Sequence, residues 1–180
     1  MQQKKKKEID KVIYNADIIK PKTVKVIGFG NSFMGDDGIG IKIIDELEKI
    51  KLSGSLEYIE IINGATSAVD LLFKLSSTDI AIIIDAIDAG QAEGEIVKFK
   101  SDEIEDMPGK TIRSFSLHDL GLEEVFRLMG SLKIFPDITI IGIKPVVIDY
   151  REKLSPEIES RIPEIILMIK QEIKKWQTTE

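Results

Sequence analysis

Two pairs of acidic residues follow stretches that have the composition of buried strands. Asp36 and Asp37 lie in a glycine-rich loop after the apolar stretch that begins at Val24. Asp85 and Asp88 come after the run IAIII, which is typical of a central parallel strand. Open α/β sheets place their ligand sites at the carboxyl ends of their strands, so both pairs are expected at one rim. Carboxylates in this position bind metal ions or exchange protons with a substrate.

The loop that carries the first acidic pair has three interpretations. Gly28-Phe29-Gly30 begins the dinucleotide pattern G-x-G-x-x-G, but Phe33 stands at the third glycine, and two carboxylates would repel a phosphate. In the second interpretation the glycines only turn the chain, and one aspartate caps the helix that follows. In the third, one carboxylate caps that helix while its neighbour points into a cleft as a metal ligand or as a general acid or base.

The second acidic pair and the only histidine also have structural alternatives. Asp88 is equally well explained as an acceptor for N–H groups of its own loop. Asp85 closes a fully apolar strand, where a carboxylate needs a cation, a hydrogen-bond donor or a metal. His118 follows the predicted cap Ser116 in the first turn of a helix that runs to about Leu132, which favours the neutral, metal-binding imidazole. A lone histidine is nevertheless more often a packed or surface residue.

The elements that position these residues predict an α/β domain. Strands are predicted from Val24 and over 56–62, 80–84, 94–99 and 137–143, with a turn at 63–66. Helices are predicted over 39–47, 67–75 and 117–132, and from Pro156 behind the N-cap Ser155. Right-handed crossovers place the strands near residues 24, 80 and 137 side by side. The predicted fold is a three-layer α/β/α sandwich around a mostly parallel, twisted sheet of about five strands, with one antiparallel edge strand at 94–99.

Composition narrows the class of protein. The 180 residues are 43% hydrophobic and 31% charged, which predicts a single globular domain. The first predicted strand and the last predicted helix place this domain at 23–176, with an extension over 1–22 and a frayed tail over 177–180. The absence of cysteine excludes disulfides, thiolate metal sites and a cysteine nucleophile. The net charge of −6 argues against nucleic acid or an anionic membrane as partner. No apolar run could span a membrane, and no apolar signal core follows Lys4–Lys7, so we expect a cytoplasmic protein.

The acidic loop resembles the opening motif of the [NiFe] hydrogenase maturation endopeptidases, G-x-G-N-x-x-x-x-D-[DE]-G-x-G. The matching residues are Gly28, Gly30, Asn31, Asp36, Asp37, Gly38 and Gly40. The segment S-x-H-x-x-G-L around His118 and the strand end G-x-x-P at 142–145 are similar to that family too. Asn63 departs from it, because the family usually has aspartate there. The resemblance runs from about Lys25 to the final helix and implies a phosphorylase/hydrolase-like fold.

The resemblance implies an aspartic-type, metal-gated endopeptidase that removes the C-terminal extension of a [NiFe] hydrogenase large-subunit precursor. Its nickel-binding and catalytic residues map onto Asp37, Asp85 and His118. Gly30, Asn31, Asp36 and Asp88 would line the substrate cleft. Two carboxylates and one imidazole leave coordination positions open, so the nickel is expected to arrive with the precursor and not to be held permanently.

With other catalytic groups eliminated, a water molecule is the nucleophile that remains for peptide cleavage. The sequence has no G-x-S-x-G, no cysteine and no H-E-x-x-H, so a metal or a carboxylate must activate the water. Two other functions stay open: a non-proteolytic, nickel-responsive binding protein or chaperone of the large subunit, and a small-molecule α/β hydrolase. We expect a monomer whose partner is the precursor.

Overall fold

The computed structural model describes residues 23–50, 59–65, 68–104, 112–115 and 122–177. Six strands within these ranges form one sheet. They are β1 (Val24–Phe29), β2 (Ile59–Ala65), β3 (Ile80–Asp88), β4 (Ile96–Lys100), β5 (Arg113–Ser114) and β6 (Asp137–Ile143). The helices are α1 (Ile39–Lys49), α2 (Ala68–Ser76), α3 (Leu122–Ser131), α4 (Pro156–Glu159) and α5 (Ile162–Gln177), with short 3-10 turns at Gly35–Gly38 and Ser101–Glu103.

The sheet has the predicted order at its centre. β2, β1, β3 and β6 lie side by side and run parallel, and β4 adds to β6 as an antiparallel edge strand. This confirms the predicted neighbours near residues 24, 80 and 137 and the antiparallel strand predicted at 94–99. β5 pairs with the end of β3 and raises the number of strands to six. A strand of two residues is too short to show an alternating pattern, so the sequence carries no signal for it.

Helices cover both faces of the sheet. Ile82 and Ile84 of β3 belong to one buried cluster with side chains of α1 and α5. Ala81 and Ile83 of the same strand belong to a second cluster with α2 and α3. Successive side chains of a strand point to opposite faces, so a strand between two helical layers is apolar at every position. The predicted three-layer α/β/α sandwich is confirmed.

Two strands extend beyond their predicted ends. The turn predicted at 63–66 is wrong for its first three residues, because β2 runs to Ala65 and Asn63 pairs with Gly28 of β1. β3 continues to Asp88, since β6 accompanies it as far as Ala86 and β5 pairs with its last two residues. Asp85 therefore lies inside a strand and not after one.

The C-terminal helix begins as predicted but is interrupted. Ser155 caps α4, its hydroxyl accepting the Ile158 N–H at 3.4 Å, and Pro156 takes the first helical position. The break before α5 follows from Pro163, which has no N–H to donate to the Glu159 carbonyl. Of the predicted apolar face, all members except the half-buried Ile166 are buried: Ile158, Ile162, Ile165 and Ile169.

Some predictions fall outside the described residues. These are the extension over 1–22, the helix cap Ser116, His118 and the tail beyond Gln177. Within the described ranges, no helix is both long and apolar enough to cross a membrane.

Candidate active site

A tight turn at Gly30 brings Asp37 back onto the end of β1. The φ angle of Gly30 is +146°, and a β-carbon there would lie 2.1 Å from the Asp37 carbonyl oxygen. Only glycine fits both the backbone conformation and the space. The next residue, Asn31, donates its backbone N–H to Asp37 Oδ2 at 3.1 Å, and its own Oδ1 accepts the Phe33 N–H at 3.0 Å. Gly30 and Asn31 thus organise the loop around the Asp37 carboxylate.

The start of α1 rests on the carboxyl ends of β1 and β3. A β-carbon on Gly40 would lie 2.0 Å from the Phe29 carbonyl oxygen and 2.6 Å from that of Ile84. Asp37 precedes Gly40 by three residues, Asp85 directly follows Ile84, and the 3-10 turn that carries Asp37 contacts β3. Two buried carboxylates from distant parts of the chain therefore flank one close backbone contact.

Asp85 is fully buried on the face of the sheet that α2 and α3 cover. Its Oδ2 accepts a hydrogen bond from the hydroxyl of Ser114 on β5. Burying a carboxylate without hydrogen-bond donors is energetically costly. Ser114 on β5 therefore supplies one of the donors that the sequence predicted Asp85 to need. Sequence reasoning missed Ser114, because nothing in its neighbours marks a strand of two residues.

Asp36 is fully buried and has other hydrogen-bond partners than Asp37. Its Oδ2 accepts the backbone N–H groups of Val146 at 3.0 Å and Val147 at 2.8 Å. The backbone N–H of Ser155 donates to Oδ1 at 2.6 Å, and the Ser155 hydroxyl donates to Oδ2 at 2.9 Å. Asp36 thus ties the acidic loop to the segment after β6, a structural role that its assignment to the substrate cleft did not include.

Neither Asp36 nor Asp37 caps α1, so the interpretation in which one of them caps this helix is wrong. The N-cap position of α1 is Gly38, which has no side chain, and no side chain caps the helix. The 3-10 turn at Gly35–Gly38 leads directly into the helix and leaves both carboxylates for other partners.

Asp88 closes β3 as an ion-paired residue. Its Oδ1 accepts the Gly90 N–H at 2.9 Å, and Oδ2 lies 3.1 Å from Lys144 Nζ. The hydrogen bond from Gly90, followed by Lys144 and the nearby Arg113, lowers the pKa of Asp88 below its usual value. Asp88 therefore accepts an N–H group of its own loop, as the structural alternative predicted.

Of the three predicted metal ligands, the structure describes two. Asp37 and Asp85 come to the same rim, and His118 lies outside the described residues. Within those residues, no group of three His, Cys, Asp or Glu side chains could hold a metal ion. A site with Asp37 and Asp85 must therefore take a further ligand from elsewhere.

Comparison with known proteins identifies the family. A family model described as hydrogenase maturation protease matches residues 41–172. The hydrogenase 2 maturation protease of Escherichia coli (strain K12) is 30% identical over 141 residues, which cover 77% of this chain and 83% of that protein. The chain belongs to the hydrogenase maturation protease family. Asp85 and His118 lie inside the range that the family model matches, and Asp37 lies four residues before it.

Two further similarities concern a longer relative and a solved structure. The hydrogenase expression/formation protein HupD of Thiocapsa roseopersicina is 29% identical over 147 residues, 81% of this chain but only 65% of that relative. The chain therefore spans about two thirds of that relative's length. The structure of the E. coli hydrogenase maturating endopeptidase HybD matches with a TM-score of 0.71 and 25% identity, covering 85% of this chain and 93% of that one. The chain thus shares its fold with a solved endopeptidase.

Proposed function

We propose that this protein is an endopeptidase that removes the C-terminal extension of a [NiFe] hydrogenase large-subunit precursor once nickel has been inserted. The observation that carries the proposal is the pair of buried carboxylates, Asp37 and Asp85, on either side of the contact between Gly40 and Ile84. Membership of the hydrogenase maturation protease family supports the substrate class.

The nickel is part of the substrate in this proposal, and Asp37, Asp85 and His118 recognise it. Carboxylate oxygens and neutral imidazole bind divalent transition metals, and three such ligands leave positions for donors from the precursor. The Phe115 N–H donates to the Ala86 carbonyl at 3.1 Å, which anchors the chain beside Asp85 three residues before His118.

Cleavage requires a water molecule that attacks the scissile carbonyl carbon. Asp37 or Asp85 takes a proton from that water, the new C–O bond forms, and the C–N bond breaks as the leaving amine receives the proton. Nickel bound in the precursor orients the peptide against the two carboxylates, so an unfilled precursor is not aligned for attack. Metal occupancy thereby becomes a condition for cleavage.

The deciding experiment is a mass spectrum of the precursor after incubation with the protein, with and without nickel in the precursor. We expect loss of a C-terminal peptide only from the nickel-loaded form. Asp37→Asn, Asp85→Asn and His118→Ala should each abolish the loss, whereas Asp45→Asn, at an exposed position of α1, should process normally. Cleavage of the nickel-free precursor would contradict the proposal that nickel controls cleavage. Full processing by any of the first three variants would show that the substituted residue is not part of the active site.

The same incubation separates the alternatives. A stable complex with no change of mass in either form would favour the non-proteolytic binding protein. Turnover of small esters or amides, with no effect on the precursor, would favour a small-molecule hydrolase.

A further inference from the structure

Three large apolar side chains are exposed on two segments beside the acidic loop. Phe33 is 53% exposed, Ile148 39% and Tyr150 86%. We call these three residues the Phe33–Tyr150 patch. Exposed apolar side chains that occur singly are ordinary, but a group of them on neighbouring segments indicates a contact surface.

Backbone pairing places Phe33 and Tyr150 next to each other. Met34 forms an isolated parallel bridge with Arg151. The Arg151 N–H donates to the Phe33 carbonyl at 2.9 Å, and the Gly35 N–H donates to the Arg151 carbonyl at 2.8 Å. Tyr150 directly precedes Arg151, whose N–H is bonded to the Phe33 carbonyl, so the backbones of Phe33 and Tyr150 lie close together.

The patch stands on backbone that Asp36 holds in place. The Asp36 N–H donates to the Val147 carbonyl at 3.0 Å, and the Asp36 carboxylate accepts N–H groups from both Val147 and Ser155. These bonds connect positions more than a hundred residues apart and fix both segments on which the exposed side chains stand. Anchors that are already ordered lose little conformational entropy when a partner binds.

The patch is also continuous with the candidate active site. Asn31 contacts the Asp37 carboxylate through its backbone N–H and contacts the Phe33 N–H through its side chain. Asn31 thus links the backbone of Phe33 to the Asp37 carboxylate of the proposed site through two hydrogen bonds. A polypeptide whose scissile bond reaches Asp37 must pass over the surface that surrounds this loop.

We propose that the Phe33–Tyr150 patch is the docking surface for the hydrogenase large-subunit precursor, which places an apolar stretch next to its cleavage site against Phe33 and Tyr150. This inference rests on the proposed function. Aromatic residues at the centre of an interface commonly contribute most of the binding free energy, so these two side chains determine affinity and not the chemical step.

The test compares two double variants of matched exposure. F33S/Y150S removes the patch, and F73S/F135S removes two phenylalanines that are 72% and 78% exposed on α2 and in the loop before β6. For each protein, the Kd for nickel-free precursor and the KM and kcat for nickel-loaded precursor are measured. F33S/Y150S should raise Kd and KM at least about tenfold with kcat within about twofold of the original, and F73S/F135S should leave all three unchanged.

The outcomes distinguish this proposal from the proposed function. Cleavage by F33S/Y150S with unchanged KM, or an equal loss in F73S/F135S, overturns the docking surface and leaves the endopeptidase intact. Binding that requires the patch but is never followed by cleavage supports the docking surface and overturns the endopeptidase. If the original protein neither binds nor cleaves the precursor, both proposals fail.

Discussion

Gly40 at the start of α1 touches the carbonyl oxygen of Phe29 so closely that a β-carbon would lie 2.0 Å from it. This contact lets the helix that follows Asp37 rest directly on the strand ends. It sets the separation between the helix start and Asp85, which lies one residue beyond the second carbonyl that Gly40 meets.

Gly40→Ala should therefore lower both stability and activity. The added methyl group must push the helix away from two backbone carbonyls that cannot rotate aside, at a cost of about 3 kcal/mol in the free energy of unfolding. Denaturant titration measures the loss, and precursor processing should fall with it. Gly130→Ala in α3 is the matched control, because among the described residues, its own stretch of helix backbone aside, no heavy atom lies within 4 Å of its β-carbon position. Alanine there should stabilise the helix by up to about 1 kcal/mol.

Ser114→Ala should weaken processing by removing a donor from the buried Asp85. The free energy of unfolding should fall by about 1–3 kcal/mol. In the proposed mechanism Asp85 binds nickel, and removing a group that orients a metal ligand typically lowers activity about tenfold or more, so we expect a comparable fall in kcat/KM. Ser114→Thr keeps the hydroxyl and should restore most of the activity. Equal losses in the alanine and threonine variants would show that the hydroxyl is not what orients Asp85.

Asp36→Asn should be strongly destabilising although the change in volume is small. The carboxylate accepts four hydrogen bonds, one on Oδ1 from Ser155 and three on Oδ2 from Val146, Val147 and Ser155. The amide nitrogen of asparagine replaces one of these oxygens and accepts nothing, so at least one buried N–H is left facing another donor. The free energy of unfolding should drop by at least about 3 kcal/mol. Asp149→Asn, which breaks only an exposed 3.9 Å contact with Arg151, should change it by less than about 1 kcal/mol. Similar effects of the two substitutions would contradict the structural role of Asp36.

Glu172 should make stability depend on pH in the acid range. It lies on α5, buried, with Lys98 of β4 at 2.6 Å and Lys175 at 2.7 Å. Burial raises its pKa, but Lys175 and Lys98 together outweigh burial and lower the pKa below the usual 4.5. A carboxyl group with a lowered pKa in the folded state stabilises the protein above its unfolded pKa, and this contribution disappears as the pH falls through the folded value.

Glu172→Gln tests this dependence directly. The variant should be less stable than the original protein at pH 7, and the difference should shrink below about pH 4.5. Unfolding can be measured by the fluorescence of Trp176, the only tryptophan, which lies on the same helix as Glu172. Glu164→Gln, an exposed partner of Arg161, should change stability by less than about 1 kcal/mol. A constant difference between the Glu172 variant and the original at all pH values would contradict the role of the ion pairs.

The sequence alone determined the layers of this protein and the rim at which its acidic residues gather. Strands such as 80–84 are apolar at every position and helices such as α1 repeat apolar residues at helical spacing, so local pattern reveals which elements exist and which are buried. Crossover handedness then limits how parallel strands can be ordered, and this is why the neighbours of β3 were predictable.

Only the tertiary structure decided what each acidic residue does. Asp36 and Asp37 are adjacent and chemically identical, yet one bonds to Ser155, 119 positions away, and the other to Asn31, six positions away. The partner of Asp85 comes from a strand that is two residues long, and the ends of β2 and β3 depend on the strands beside them. Such contacts join positions that are distant in the chain, and a local pattern carries no information about them.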